Sequence, residues 1–128
     1  MASELSDYSA NAFLNWLRGT TFPAAPTDVY MALFNGNPTS GGTEVTTTIR
    51  VAGRVAIDYD VVASRSITNA TDIDYGEAAG GATITYLGVY DAASAGNLLG
   101  YTPLDNNRTV VAGDPVIFLA GAHTFHFN

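Results

Sequence analysis

From Ala82 to Asn128 the chain alternates short apolar runs with breakers: ATITYLGVYD, AASAG, NLLGYTPL, DNNRTVVAGD, PVIFLAG, AHTFHFN. Runs of that length, ending at Gly, Asp-Asn or Pro, predict consecutive β-strands joined by turns. Asp28–Phe34 (DVYMALF) is apolar on both parities: Val29, Met31 and Leu33 against Tyr30, Ala32 and Phe34. A strand without a polar face is expected to be central and covered on both sides. Thr83–Tyr90 asks for the same. In Arg54–Val61, Val55, Ile57, Tyr59 and Val61 alternate with Arg54, Ala56, Asp58 and Asp60. Ser66–Tyr75 alternates again, so the two segments predict a hairpin turning near Ala63, with Arg54 opposite Asp72 or Asp74. The run Thr46–Thr48 favours extended structure within Glu44–Val51.

A different period rules Ser6–Arg18. Ala10, Phe13, Leu14 and Leu17 fall on one helical face, Ser6 can cap the N-terminus, and Gly19 supplies the stop. So short a helix is marginal alone and must dock on something. The nearest target is the domain's own sheet; the other is a neighbouring subunit, with Trp16 as anchor. Thr20–Thr27 is a connector stiffened by Pro23 and Pro26. Asn35–Thr43 (NGNPTSGGT) is a turn-rich loop long enough to project. The expected fold is mostly β: a single β-sandwich-like domain over residues 1–128, with antiparallel strands from residue 28 onward and one N-terminal α-helix at about 6–18.

At 128 residues and 47% hydrophobic, the chain can bury a core, but only 13% of its residues are charged. Five Arg and no Lys, within a net charge of −7, leave no basic patch for phosphate backbones or anionic lipid, so neither nucleic acid nor membrane is an expected partner. The lack of Lys and Cys removes Schiff-base, P-loop and thiol chemistry. The start MASELSDYS has neither the basic nor the apolar character of a signal peptide, which suggests synthesis in the cytoplasm without a secretion signal.

Candidate chemistry is thin. Asp58, Asp60, Asp72 and Asp74 suggest a hard-cation site, but the hairpin register separates them and the Asp-x-Asp loop spacing with a terminal Glu is missing; no metal is expected. His123 and His126, an odd spacing apart on a strand, are expected on opposite faces, and no G-x-S-x-G elbow is present to make either a hydrolase base. Tyr86, Tyr90 and Tyr101 can be core or a face that stacks on sugar rings. Tyr86 and Tyr90 share a parity with Gly88 between them, which suggests one face needing local room.

Four segments read together resemble a known family: LSDYSANAFLNWLRG at Leu5–Gly19, VYMALFNGNPTSGGTEV at Val29–Val45, LGVYDAASAGNLLGYTPL at Leu87–Leu104 and RTVVAGDPVIFLAGAHTF at Arg108–Phe125. They are similar to short tailed-bacteriophage virion proteins commonly described as tail fibre proteins. The resemblance runs nearly end to end and is weakest over Thr46–Gly81. It implies a non-enzymatic structural part of the virion, with no catalytic residue and no cofactor. The expected partners are copies of itself and other virion proteins, such as major capsid or tail proteins. Within that class the absence of a shaft or receptor-tip repeat favours a head cement or decoration protein, mounted as a homo-oligomer on the particle exterior, over a tail fibre component or a carbohydrate-binding module. The residues expected to make assembly contacts are Leu5, Phe13 and Trp16 of the helical segment and Asn35, Asn37, Pro38 and Thr39 of the loop. Tyr86, Tyr90 and Tyr101 are the candidate glycan contacts.

Overall fold

A computed structural model gives the fold and describes residues 3–127. In chain order the elements are β1 (Glu4–Leu5), α1 (Asp7–Leu17), β2 (Val29–Asn35), β3 (Thr43–Glu44), α2 (Thr46–Ile49), β4 (Val55–Ile57), β5 (Ser66–Thr68), β6 (Ile73–Glu77), β7 (Ala82–Tyr90), β8 (Leu98–Val110), β9 (Pro115–Phe118) and β10 (Thr124–His126). The main sheet runs β1-β8-β7-β2-β3, and β4 also pairs with β2. Every pairing is antiparallel, in the main sheet and in the ribbons β5–β10 and β6–β9. The chain is mostly β, as expected.

β2 is central. Met31, Ala32 and Leu33 are fully buried and Phe34 nearly so. The register Met31↔Val89 and Leu33↔Leu87 places four apolar side chains on one face. That face packs against Ile57 of β4, Ile73 and Tyr75 of β6, Val116 of β9 and Ile49 of α2. The second layer is thus assembled from ribbons and a single helical turn, not from one continuous sheet. The Tyr75 hydroxyl crosses the core and donates to the Met31 carbonyl at 2.6 Å, which gives an otherwise buried phenol its partner.

The opposite face carries Tyr30, Ala32 and Phe34 across from Tyr90, Gly88 and Tyr86. A Cβ at Gly88 would stand 3.0 Å from Phe34 Cε1 and 3.1 Å from Leu98 Cδ1. Gly88 makes the room that the shared parity of Tyr86 and Tyr90 suggested. The rings of Phe34 and Tyr90 stack, with centroids 6.3 Å apart and planes 10° from parallel.

Four local expectations are corrected. The 54–75 hairpin exists only near its turn, through the Tyr59↔Asn69 and Ala63↔Ser66 bridges; beyond them β4 leaves for β2, β5 for β10 and β6 for β9. The Thr46–Thr48 run is not extended. Thr46 is a fully buried plug in α2 whose hydroxyl accepts from Leu33 N at 2.9 Å and donates to Glu44 at 2.6 Å. Asp105-Asn106-Asn107 is not a turn between two strands but a bulge inside β8, because Tyr86 pairs with Pro103 and Ile84 already with Arg108. Arg54 meets neither Asp72 nor Asp74; it forms an ion pair with Glu44.

Candidate assembly surface

The N-terminal arm is fastened firmly at its root. β1 pairs Glu4 with Tyr101 and Leu5 with Gly100. Ser6 N–H donates to the Leu99 carbonyl at 3.1 Å, and the Ser6 hydroxyl caps α1 by accepting from Ser9 N at 3.1 Å. Asp7 adds negative charge at the positive end of the helix dipole. At the other end Gly19, with φ +95°, closes the helix. Its N–H reaches Trp16 O and that of Thr20 reaches Asn15 O, both at 3.0 Å, the paired bonds of a Schellman stop.

Beyond its root the arm leaves the body. No residue of α1 is buried, and every residue from Phe13 to Asp28 is exposed. The expectation that the helix buries its apolar face on its own sheet is therefore overturned: Tyr8, Ser9 and Ala12 lie beside Leu99 of β8 with the 22–26 connector, and the apolar stripe stays outside that contact. Phe13 (45% exposed), Leu14 (55%), Trp16 (54%), Leu17 (63%) and Phe22 (47%) face outward. The Phe13 and Trp16 rings pack at a 39° tilt, with centroids 5.8 Å apart. An amphipathic helix normally turns such a stripe onto a core, and among the described residues none buries the stripe here.

Beside the arm's root lies an apolar trough of about 310 Å³ lined by Leu5, Val89, Leu99, Ile67, Phe125 and Phe127. A shallower hollow of about 230 Å³ continues it past Phe125 and Phe127 to Val62. Gly100 sets its floor, since a Cβ there would come within 2.8 Å of the Glu4 carbonyl oxygen and collide with the Phe125 ring. Phe125 and Phe127 meet edge to face at 5.4 Å.

The expected loop does not project. Asn37 Oδ1 accepts from Thr39 N at 2.8 Å, and its carbonyl accepts from Ser40 N and Gly42 N. Gly36 N–H donates to the Thr85 hydroxyl at 2.6 Å, so Asn35, Asn37 and Pro38 are held against the sheet. The Thr39 hydroxyl lies 3.3 Å from that of Tyr101, which donates to Glu4 at 3.0 Å. Glu4 and Leu5 alternate across the sheet. The loop residues therefore share the Tyr101 face, whereas Leu5 turns to the trough on the other side. Phe13 and Trp16 are brought together on α1, Leu5 lies in the trough, and Asn35, Asn37, Pro38 and Thr39 form a separate surface. Sequence reasoning passed over Phe22, Phe125 and Phe127, although a lone Phe in a Pro-rich connector and two near the C-terminus were visible signals.

The three candidate tyrosines do not form an open platform. Tyr101 is only 8% exposed. The Tyr90 ring is capped by the Arg54 guanidinium 3.6 Å from its centroid. Tyr86 is half-buried and leans on Tyr101 at 6.3 Å.

The two histidines, expected on opposite faces, line one cleft of about 380 Å³ with Asp105 and Thr102. His123 precedes β10, so strand parity does not govern it. It is 2% exposed, and its Nε2 shares a 2.8 Å hydrogen bond with the Tyr59 hydroxyl. Burial pushes the His123 pKa down to about 4 and the Tyr59 phenol well up. Asp60, Asp72 and Asp74 each accept a backbone N–H, from Val61, Ala120 and Gly76. Among the described residues no group of three or more His, Asp or Glu is placed to hold a metal ion, nor is any helix long and apolar enough to cross a membrane.

An antiparallel β body with a helix whose apolar side chains stay half exposed presents a contact surface and no catalytic constellation among the described residues. The chain belongs to the Podophage GP4 fiber I protein gp80 family, whose family model matches residues 4–126. No curated protein matches it. The resemblance to phage tail fibre-type proteins is thereby established over nearly the whole chain, and with it membership of a phage virion structural family.

Proposed function

We propose that this protein is a non-enzymatic, homo-oligomeric component of a podophage tail fibre, attached on the particle exterior through its N-terminal arm. The family favours the fibre over the head cement role that the lack of a repeat suggested. The observation that carries the reading is the arm: four large apolar side chains about half exposed on a helix fixed at its root, and Phe22 half exposed in the connector after it. Single exposed apolar residues are ordinary, but a contiguous set of this size marks a contact site.

Phage carrying Trp16→Ala provide the test. Trp16 is 54% exposed on a helix with no buried residue, so the variant is expected to fold, and its copy number per particle should fall. Normal copy number in a folded variant overturns the arm as the attachment point. Localisation by electron microscopy of intact virions is expected to place the protein on a tail fibre; density on the head surface would replace the fibre reading with cement.

A further inference from the structure

We propose that the arm of one copy fills the trough of the next, so that copies join head to tail through two different surfaces of the same chain. The inference rests on the homo-oligomeric reading above and deepens it by naming both halves of the contact. One half is the helix ridge that carries Phe13, Leu14, Trp16 and Leu17, with Phe22 in the connector after it, each about half exposed. The other is the concave trough floored by Gly100 and walled by Leu99, Ile67, Phe125 and Phe127.

The helix cannot serve its own trough. Ser9 already sits at the trough's rim, and the β1 register with the Ser6–Leu99 bond fixes the helix direction there. At a rise of about 1.5 Å per residue, Trp16 is carried roughly 10 Å past that rim. Two apolar surfaces on one chain are thus left open, one ridge-shaped and one groove-shaped, and a second copy covers both with a single contact.

The area fits as well. Fully buried aromatic side chains account for roughly 150–250 Å² each. About half of such an area at each of the three aromatic arm residues comes to roughly 300 Å², and the half-exposed Leu14 and Leu17 bring the apolar surface to roughly 450 Å². A stable interface takes about 800 Å² from each partner, somewhat over half of it apolar. The arm alone supplies that share. Because ridge and trough are different patches, the contact is heterologous: it closes into a ring or extends as a file of subunits, as a fibre part requires.

Trp16 is the chain's one tryptophan, so its fluorescence reports the contact directly. On the purified full-length chain the emission is expected to move to shorter wavelength as concentration rises and oligomers form in sedimentation. Phe127→Asp, a trough change at a 39%-exposed position, should abolish that move although it lies on the other surface. Trp16→Ala should weaken association by roughly 30-fold, the effect of a central aromatic anchor. Mixing the two variants decides the geometry. Each retains one intact half, so the mixture should give one-to-one dimers that neither variant forms alone.

Overturning results are equally plain. Normal association of Phe127→Asp means that the arm meets another arm. A wild-type chain that stays monomeric at high concentration, with Trp16 emission unmoved, means that the arm's partner is a different virion protein. In that second case the copy-number test on phage can still succeed, so failure of the head-to-tail contact and failure of the fibre reading are told apart.

Discussion

Leu33 and Leu14 are the same side chain in two segments of comparable apolar character, and they end in opposite places. Leu33, in β2, is fully buried; Leu14, in α1, is 55% exposed. Leu33 has β7 beside it and the β6–β9 ribbon above, all supplied by its own chain. Leu14 stands on an equally regular stripe with nothing opposite. Hydrophobic periodicity states that a face will be covered. It does not state by which chain, because the free energy of burial depends on area removed from water and not on covalent connection.

The sharpest way to break this comparison is to truncate both leucines. Leu33→Ala should lower unfolding stability by about 3 kcal/mol, through lost transfer energy and a core cavity. Leu14→Ala should leave dilute-solution stability within about 0.5 kcal/mol of wild type. Urea melts measure both. A loss above about 1.5 kcal/mol for Leu14→Ala would mean that α1 belongs to the body's own core, and the contrast between the two regions collapses.

Acid distinguishes the regions next. His123 is buried in the body, and its pKa falls from the ordinary 6.5 to about 4 because burial disfavours the imidazolium. The unfolded chain therefore takes up this proton first. The contribution of neutral His123 is complete above about pH 6.5 and is lost progressively down to about pH 4, by as much as ~3 kcal/mol. His123→Gln should flatten that part of the stability–pH profile while leaving the Trp16 emission of the arm unchanged. An identical slope in the variant would remove His123 as the source; Glu44 and Asp91, held below their ordinary values by hydrogen bonds, lose their contribution only further into acid, below about pH 4.5.

Legibility in the sequence followed the same division. β2 and β7 were readable because both parities of each are apolar, and a strand of that kind has one stable place, the middle of a layered β fold. The helix was readable from Ser6 to Gly19, and its caps match the sequence signals bond for bond. Its docking was not, because the stripe that would bury against a sheet is the same stripe that would bury against a neighbour. The middle of the chain failed for another reason. Val55–Ile57, Ser66–Thr68 and Ile73–Glu77 alternate as strands should, but alternation fixes a side chain's face and leaves the partner strand open. Three short strands therefore left for three different partners. Of the candidate surface, Phe13 and Trp16 were nameable from the helical pattern, and Leu5 was named with them although it lies in β1. The trough was not, because Gly100, Phe125 and Ile67 come together only through pairings distant in sequence.

A smaller effect tests how the body keeps its outer face rigid while the arm stays free. The Arg54 side chain is 7% exposed and spends nearly all its donors within the chain. Nε and Nη2 make a bidentate pair with Glu44 at 3.0 and 2.9 Å, Nη1 donates to the carbonyls of Ala92 and Ala95 at 3.0 and 2.8 Å, and the plane covers Tyr90. Burial alone would raise the Glu44 carboxyl, but hydrogen bonds from Arg54 and Thr46, with the charge of Arg54, hold it below its ordinary value. One guanidinium thus joins β3, the end of β7 and the 91–97 loop, in which Ala95 takes a left-handed φ of +52°. Breaking a fully buried pair costs roughly 3–5 kcal/mol. Glu44 keeps 30% of its side chain in water, so Arg54→Ala should cost less, about 2 kcal/mol. Amide exchange in the 92–97 loop should accelerate with it, whereas Arg54→Met, which keeps the stem over Tyr90, should recover part of the stability and none of the loop protection. Unchanged exchange in both variants would mean that the loop is held by Asp91, whose carboxylate accepts from Asn97 N and Nδ2 at 2.7 and 3.0 Å, and that the guanidinium merely packs against it.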